Sequence, residues 1–175
     1  MKPFLTGTGR RTLPKSKPTT MNLEYLREAI RLANDHMTAN EGGPFGAVVV
    51  QNNRVIGRGW NRVTSTFDPT AHAEIVAIRD ACSQLHAYAL PSCEIYCSCE
   101  PCPLCLSAIY WARIDRIYYA ATRDDAATAG FDDRYIYGEL AKPPDQRSIP
   151  MHQALRDEGL LPLHEWLKKP DRIPY

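Results

Sequence analysis

Three patterns predict an α/β protein, one mixed sheet with helices packed on its faces. A Val-rich apolar run from Phe45 to Gln51 is answered, across Asn52-Asn53, by a second strand-like run from Val55 to Trp60. Two more strand-like runs, Ser92 to Cys99 and Arg116 to Ala121, alternate with segments of helical spacing. Strand-helix-strand alternation favours a layered sheet covered by helices, begun here by one antiparallel hairpin.

Each element has a local reason. Between Met21 and about Asn40, apolar residues recur at Leu23, Leu26, Ile30 and Ala33, with Arg27, Glu28 and Arg31 between them. That spacing is helical, with Asn22 placed to cap it, and Gly42-Gly43-Pro44 ends it. The run Phe45 to Gln51 lacks polar alternation, so both its faces are expected to be buried. Asn52-Asn53 suits a hairpin turn. Thr64 to Pro69 reads as loop, and Thr70 as the cap of a helix reaching about Leu85. Pro101 and Pro103 suit the first turn of a helix that continues to about Ala112, because a missing N–H costs nothing there. Beyond Gly130 the pattern weakens. Pro143-Pro144 and Pro150 make an extended stretch, and only Leu163 to Lys169 suggests another helix.

The 175 residues suit one domain with a real core, and 44% hydrophobic with 23% charged residues is an ordinary globular balance. No apolar run approaches the roughly 18 residues of a membrane span, and no secretory segment follows Met1. Cys93, Cys97, Cys99, Cys102 and Cys105 cluster as in a metal site in a reducing compartment rather than a disulfide framework. A cytoplasmic protein is expected. Residues 1–20 hold five basic and no acidic side chains, so residues 21–175 carry 16 basic and 20 acidic, a net −4. An acidic body lacks the footprint of a nucleic-acid binder. With Pro3, Pro14 and Pro18, residues 1–20 are expected to be a disordered extension ahead of a domain over 21–175, with Met21 as a candidate start; a nucleic-acid arm or transit-like segment is the other reading.

The chemistry concentrates in His72-Ala73-Glu74 and Pro101-Cys102-Pro103-Leu104-Cys105, with 30 residues from His72 to Cys102. One imidazole and two thiolates make three zinc ligands. On a four-coordinate ion they leave one position for water, the pattern of catalytic rather than structural zinc. A metal in that state brings the pKa of its water to about 7, and Glu74 is placed to carry protons. Helical residues two apart point about 200° from each other, so His72 and Glu74 converge only from an open first turn. Cys102 and Cys105 share a helix face at an N-terminus, where the dipole favours thiolate. The competing arrangement adds Cys99, three residues before Cys102, as a fourth ligand in a closed, non-enzymatic zinc module.

These motifs, with Gly42-Gly43-Pro44-Phe45-Gly46-Ala47, Asn61, Asp68-Pro69-Thr70-Ala71 and Ser98-Cys99-Glu100, resemble the cytidine-deaminase-like superfamily of zinc nucleobase deaminases. Within it the chain is most similar to bacterial guanine deaminases, over roughly residues 22 to 175. The resemblance implies a three-layer α/β/α fold around a central, mostly five-stranded mixed sheet. It implies one Zn²⁺ per subunit on His72, Cys102 and Cys105, with Glu74 catalytic in the hydrolysis of guanine to xanthine and ammonia. Guanosine deaminases and tRNA adenosine deaminases of the same fold are the alternatives. The latter share the Asp68 to Glu74 run but carry a Gly-Ala-rich segment where this chain has Ala129-Gly130-Phe131-Asp132-Asp133, followed by Tyr135-Ile136-Tyr137.

Base-contacting residues follow from the same likeness. Asp133 would accept from N1–H and the 2-amino group in parallel, as carboxylates accept from guanidinium; it also suits a helix cap. Asn61 offers a donor and an acceptor, and also suits turn chemistry. Phe45 suits stacking on a base or a place in the core. Ala73 and the terminal Tyr175 complete the implied set. Residues 150–175, including Trp166, resemble a segment that covers a neighbouring subunit's active site in a swapped homodimer. The expected partners are a small purine base and a second copy, with no membrane and no nucleic acid. Elsewhere, His36, His86, His152 and His164 lack ligand spacing, Cys82, Cys93 and Cys97 suit small buried apolar sites, Trp60 and Trp111 suit the core, and Arg113 and Arg116 suit solvent.

Overall fold

A computed structural model describes residues 21–174. The expectations for residues 1–20 and for Tyr175 lie outside the described residues. Helix α1 (Leu23–Thr38) opens on Asn22, whose side chain accepts the Glu24 amide at 3.0 Å, the expected cap. Strands β1 (Gly46–Gln51) and β2 (Arg54–Trp60) form the hairpin, turned by Asn52 and Asn53 at φ 50° and 60°. There follow α2 (Val63–Thr66), α3 (Ala73–Leu85), β3 (Cys93–Cys99), α4 (Pro103–Trp111) and β4 (Arg116–Ala121). Beyond them lie α5 (Arg123–Thr128), α6 (Arg134–Ala141), a 3₁₀ turn (Pro144–Gln146) and α7 (Arg156–Lys168).

The strands order β2-β1-β3-β4, with β1 antiparallel to β2 and β3, and β3 parallel to β4. Side chains of β1 explain its unbroken apolar run. Ala47 and Val49 point into a cluster with Ala73, Ala77 and Ile109 of α3 and α4, whereas Val48 and Val50 meet Tyr96 beneath Tyr25, Leu26 and Leu32 of α1. Both faces are covered, giving three layers. Cys93 and Cys97 are buried in the core, Cys82 packs at its edge, and all the described cysteines are free.

Six expectations are corrected. The sheet of the described residues has four strands, not five; after β4 the chain breaks into short polar helices, with no further β-branched run to pair. Thr70 does not cap α3, because its hydroxyl and amide both turn back to Asp68 Oδ1, at 2.6 and 2.8 Å, and the helix begins three residues later. Part of the Thr64 to Pro69 loop is the one-turn helix α2. Trp111 is 70% exposed rather than in the core. Arg116 is not simply solvated; it pairs with Glu94 at 2.8 Å. Helices also extend further past Gly130 than the pattern suggests, with α6 added and α7 starting at Arg156.

The packing of α3 on β2 positions the site. A Cβ on Gly59 would stand 2.1 Å from the Ala73 carbonyl oxygen, so strand backbone meets helix backbone with no side chain between. This contact sets the first turn of α3 beside the end of β2. Gly59→Ala is therefore expected to cost at least about 1–3 kcal/mol through overpacking, read as a lowered urea midpoint. Gly159→Ala, in an exposed turn of α7 with open space around it, is expected to leave the midpoint unchanged or raise it slightly.

Candidate active site

Two helices present their first residues to each other. His72 is the N-cap of α3 in extended conformation, φ −69° and ψ 155°, held by the Asp68 turn before it. Cys102 is the N-cap of α4, φ −66° and ψ 171°, with Pro103 starting the helix. Neither side chain caps its own helix. Both point outward instead, joined by Cys105 from the first turn of α4. His72 Nδ1 lies 3.4 Å from Cys102 Sγ and 3.4 Å from Cys105 Sγ. A tetrahedral ion with bonds of about 2.3 Å to sulfur and 2.0–2.1 Å to nitrogen sets its N and S donors about 3.5 Å apart. The donor set fits zinc in both chemistry and spacing.

Charge at the site supports this assignment. The Cys102 thiol is pulled down to about 4, first by a hydrogen bond from Cys105 and then by His72. Cys105 is pushed up, because it keeps the proton the two sulfurs share. His72 is raised by its hydrogen bond to Cys102. Cys99 stands apart. Its thiol donates to the Thr122 carbonyl at 3.4 Å, and the group of donors able to hold a metal among the described residues is His72, Cys102 and Cys105. The closed four-ligand arrangement has no support in this geometry.

Glu74 occupies the first turn of α3, 8% exposed, with Oε2 accepting from Cys105 Sγ at 3.3 Å. His72 and Glu74 converge as the open-turn geometry requires: one precedes the helix and the other lies within it. Burial pushes the Glu74 carboxyl above its ordinary range. A carboxyl so placed is suited to both taking and giving a proton.

The remaining expected residues surround this centre unevenly. Asn61, buried just past β2, uses its Oδ1 to accept the amides of Gly43 at 3.1 Å and Val63 at 3.2 Å. Those contacts orient the amide and commit its oxygen, so Asn61 has only N–H groups left to offer. The next residue's amide, from Arg62, donates to the Ala71 carbonyl at 2.9 Å, tying Asn61 to the turn that carries His72. Gly42 fits against the Asn61 backbone, where a Cβ would stand 1.9 Å from its carbonyl oxygen. Ala73 is buried at the start of α3. Phe45 packs on the core and meets Phe131 edge-on at 4.9 Å. Asp133 begins α6, and its carboxylate makes no cap. Burial and then the charge of Cys102 raise its pKa, while Arg123 pulls the other way. Sequence reading missed Gly43 and Val63 as the groups that set Asn61, and Arg123 and Phe131 as neighbours of Tyr137 and Phe45; Gly43 and Phe131 lie in quoted motifs without a role read for them, and Val63 and Arg123 carry no motif.

A three-layer sheet with an imidazole and two thiolates at facing helix ends defines a zinc-dependent deaminase domain. Residues 19–121 match the family described as the cytidine and deoxycytidylate deaminase zinc-binding region, and the chain belongs to that family. It is 52% identical over 147 residues to a guanine deaminase of Bacillus subtilis (strain 168), an alignment covering 83% of this chain and 94% of that one. A crystal structure of guanine deaminase from Bacillus subtilis superposes with a TM-score of 0.85 at 50% identity, covering 89% of this chain and 99% of that chain. A tRNA-specific adenosine deaminase of Haemophilus influenzae is 34% identical over 148 residues, covering 77% of this chain and 85% of the relative.

Metal content separates the three- and four-ligand arrangements. Cys99→Ala is expected to keep about one zinc per chain, whereas Cys102→Ala loses most of it, since a catalytic site needs its three protein ligands. Metal analysis of the purified variants checks both.

Proposed function

We propose that the protein hydrolyses guanine to xanthine and ammonia. The observation that carries this reading is the three-donor metal centre in a chain 52% identical to a guanine deaminase, and we read Asp133, which starts α6 without capping it, as the acceptor for the base. Guanine offers N1–H and a 2-amino group as adjacent donors, and one carboxylate accepts both. Adenine presents a lone pair at N1 and would repel it. The likeness to guanine deaminases over most of the chain supports the same choice.

Each side chain then has a task. Asn61, whose oxygen is engaged by Gly43 and Val63, donates from its amide nitrogen to an acceptor of the base. Phe45 supplies a ring face for stacking, buttressed by Phe131. Ala73, buried at the helix start, keeps that wall small. His72, Cys102 and Cys105 would hold the zinc, which when bound supplies a Lewis acid that acidifies water at neutral pH. Glu74 takes the proton water loses as its oxygen bonds to C2 of the base, and passes it to the ring nitrogen. It next takes the proton of the new C2 hydroxyl and delivers it to the amine; the C–O bond gains double-bond character as the C2–N bond breaks, and ammonia leaves.

The same reading extends to assembly. Pro174 accepts a hydrogen bond from Tyr88 at 3.3 Å, beyond the C-terminal end of α3, whose 13 residues span about 20 Å from His72. The C-terminal segment therefore ends away from its own metal donors, and we assign Tyr175 to the site of a second copy. Leu161, Leu163 and Leu167 of α7 are all more than half exposed, as are Tyr110 and Trp111 of α4. A swapped homodimer would cover these exposed apolar side chains. No helix among the described residues is long and apolar enough to cross a membrane, and we place the protein in the cytoplasm.

Ammonia release from guanine, guanosine, adenine, cytosine and tRNA tests the substrate, and guanine is expected to dominate; equal or faster release from tRNA would reject the proposal. Glu74→Gln is expected to keep its zinc while turnover falls about 10²–10⁴-fold, the usual contribution of a general acid–base. Deletion of residues after Lys169 is expected to lower activity and weaken the dimer in size-exclusion chromatography. Unchanged kinetics and mass would remove the swapped segment from the site.

A further inference from the structure

Asp133 is held in place by something other than a packed helix. Helix α6 buries no residue, and Asp133 gains no fixation from capping it. The adjacent acid is already committed: Asp132 accepts from Arg134 Nε at 2.9 Å and from Nη2 at 2.7 Å. What reaches from α6 to the metal-ligand turn is Tyr137. Its amide donates to the Asp133 carbonyl at 3.2 Å, which sets the two residues one helical turn apart. Its hydroxyl donates to the Pro101 carbonyl at 3.3 Å, and Pro101 immediately precedes Cys102. The Arg123 guanidinium lies 5.0 Å over the Tyr137 ring, and the Arg123 amide donates to Glu100 Oε2 at 3.2 Å. One aromatic side chain thus links the helix bearing Asp133 to residues 100 and 101, next to the sulfur ligand. On the other side of Asp133, Phe131 rests on Phe45.

We propose that Tyr137 is a positioning residue for base recognition: by tying α6 to Pro101 it fixes how far the Asp133 carboxylate reaches toward the base. This rests on the reading of Asp133 as a base-binding residue. The proximity of Tyr137 to Asp133 is also felt electrostatically, since burial and then the Asp133 carboxylate raise the phenol's pKa. A Phe at 137 keeps the ring beneath Arg123 and removes only the hydroxyl, so the fold has no reason to fail.

Steady-state kinetics of Tyr137→Phe, Asp133→Ala and the double variant, each with its zinc content, test the proposal. Loss of one hydrogen bond predicts a KM for guanine raised about three- to tenfold, while kcat moves far less and zinc stays near one per chain. In the Asp133→Ala background the same substitution is expected to add nothing, because the group it positions is gone. An unchanged KM in Tyr137→Phe, alongside a raised KM in Asp133→Ala, would overturn the role of Tyr137 and leave Asp133 standing. An unchanged KM in Asp133→Ala would overturn the base-binding reading, and this proposal with it. Zinc loss, a kcat drop matching the KM change, or additive effects would make Tyr137 a support of the ligand turn, which also overturns it.

Discussion

Helices α3 and α4 start at nearly the same point, each aiming unpaired N–H groups and a positive dipole end at the other. Like ends brought together repel unless negative charge lies between them. The sequence puts that charge at Cys102, the residue before α4, with Cys105 and Glu74 beside it in the first turns of α4 and α3. The thiolate at Cys102 is stabilised by its surroundings before any ion arrives. A divalent cation then finds two sulfurs and an imidazole already at tetrahedral spacing. The sheet's part is to hold the two helix ends in register, and the close backbone contact between Gly59 and Ala73 does so for one of them.

Around this rigid centre the molecule is built unevenly. The layers on either side of β1 are closed, with residues of both faces fully buried. The segment after β4 is not: α5, α6 and α7 have no buried residues among those described, yet they carry large apolar side chains. Such a segment gains little from its own chain. Its residues touch the site at a few points, Phe131 on Phe45 and Tyr137 on Pro101, on either side of Asp133. The metal donors thus stand on the stable layers, while the segment after β4 meets them from the periphery.

Local features were legible in the sequence because their causes are local. The Asn22 cap, the Asn52-Asn53 turn and Pro103 at a helix start each need only neighbours a few residues away, whereas His72, 30 residues before Cys102, was legible through the two motifs together. One failure is a local competition, and the others have distant causes. Thr70 looked like a cap, but Asp68 took its hydroxyl first. Trp111 looked like core, and whether a helix face is covered depends on what lies opposite it. The fifth strand was carried by resemblance alone, with no β-rich run after Ala121 to form it. Asn61 was legible as a residue but not as an orientation, which two amides far and near in the sequence decide.

That orientation makes the polarity of one wall a property of the main chain. With Oδ1 pinned by Gly43 and Val63, rotating the amide would strand two N–H donors against N–H donors, so the wall is locked as donor-only. In the proposed base-binding role of Asn61, a purine analogue that places an N–H opposite residue 61 would meet repulsion, however well its shape fits. Inverting that preference takes an isosteric acid at 61, which can serve both backbone amides and still show the ligand an acceptor.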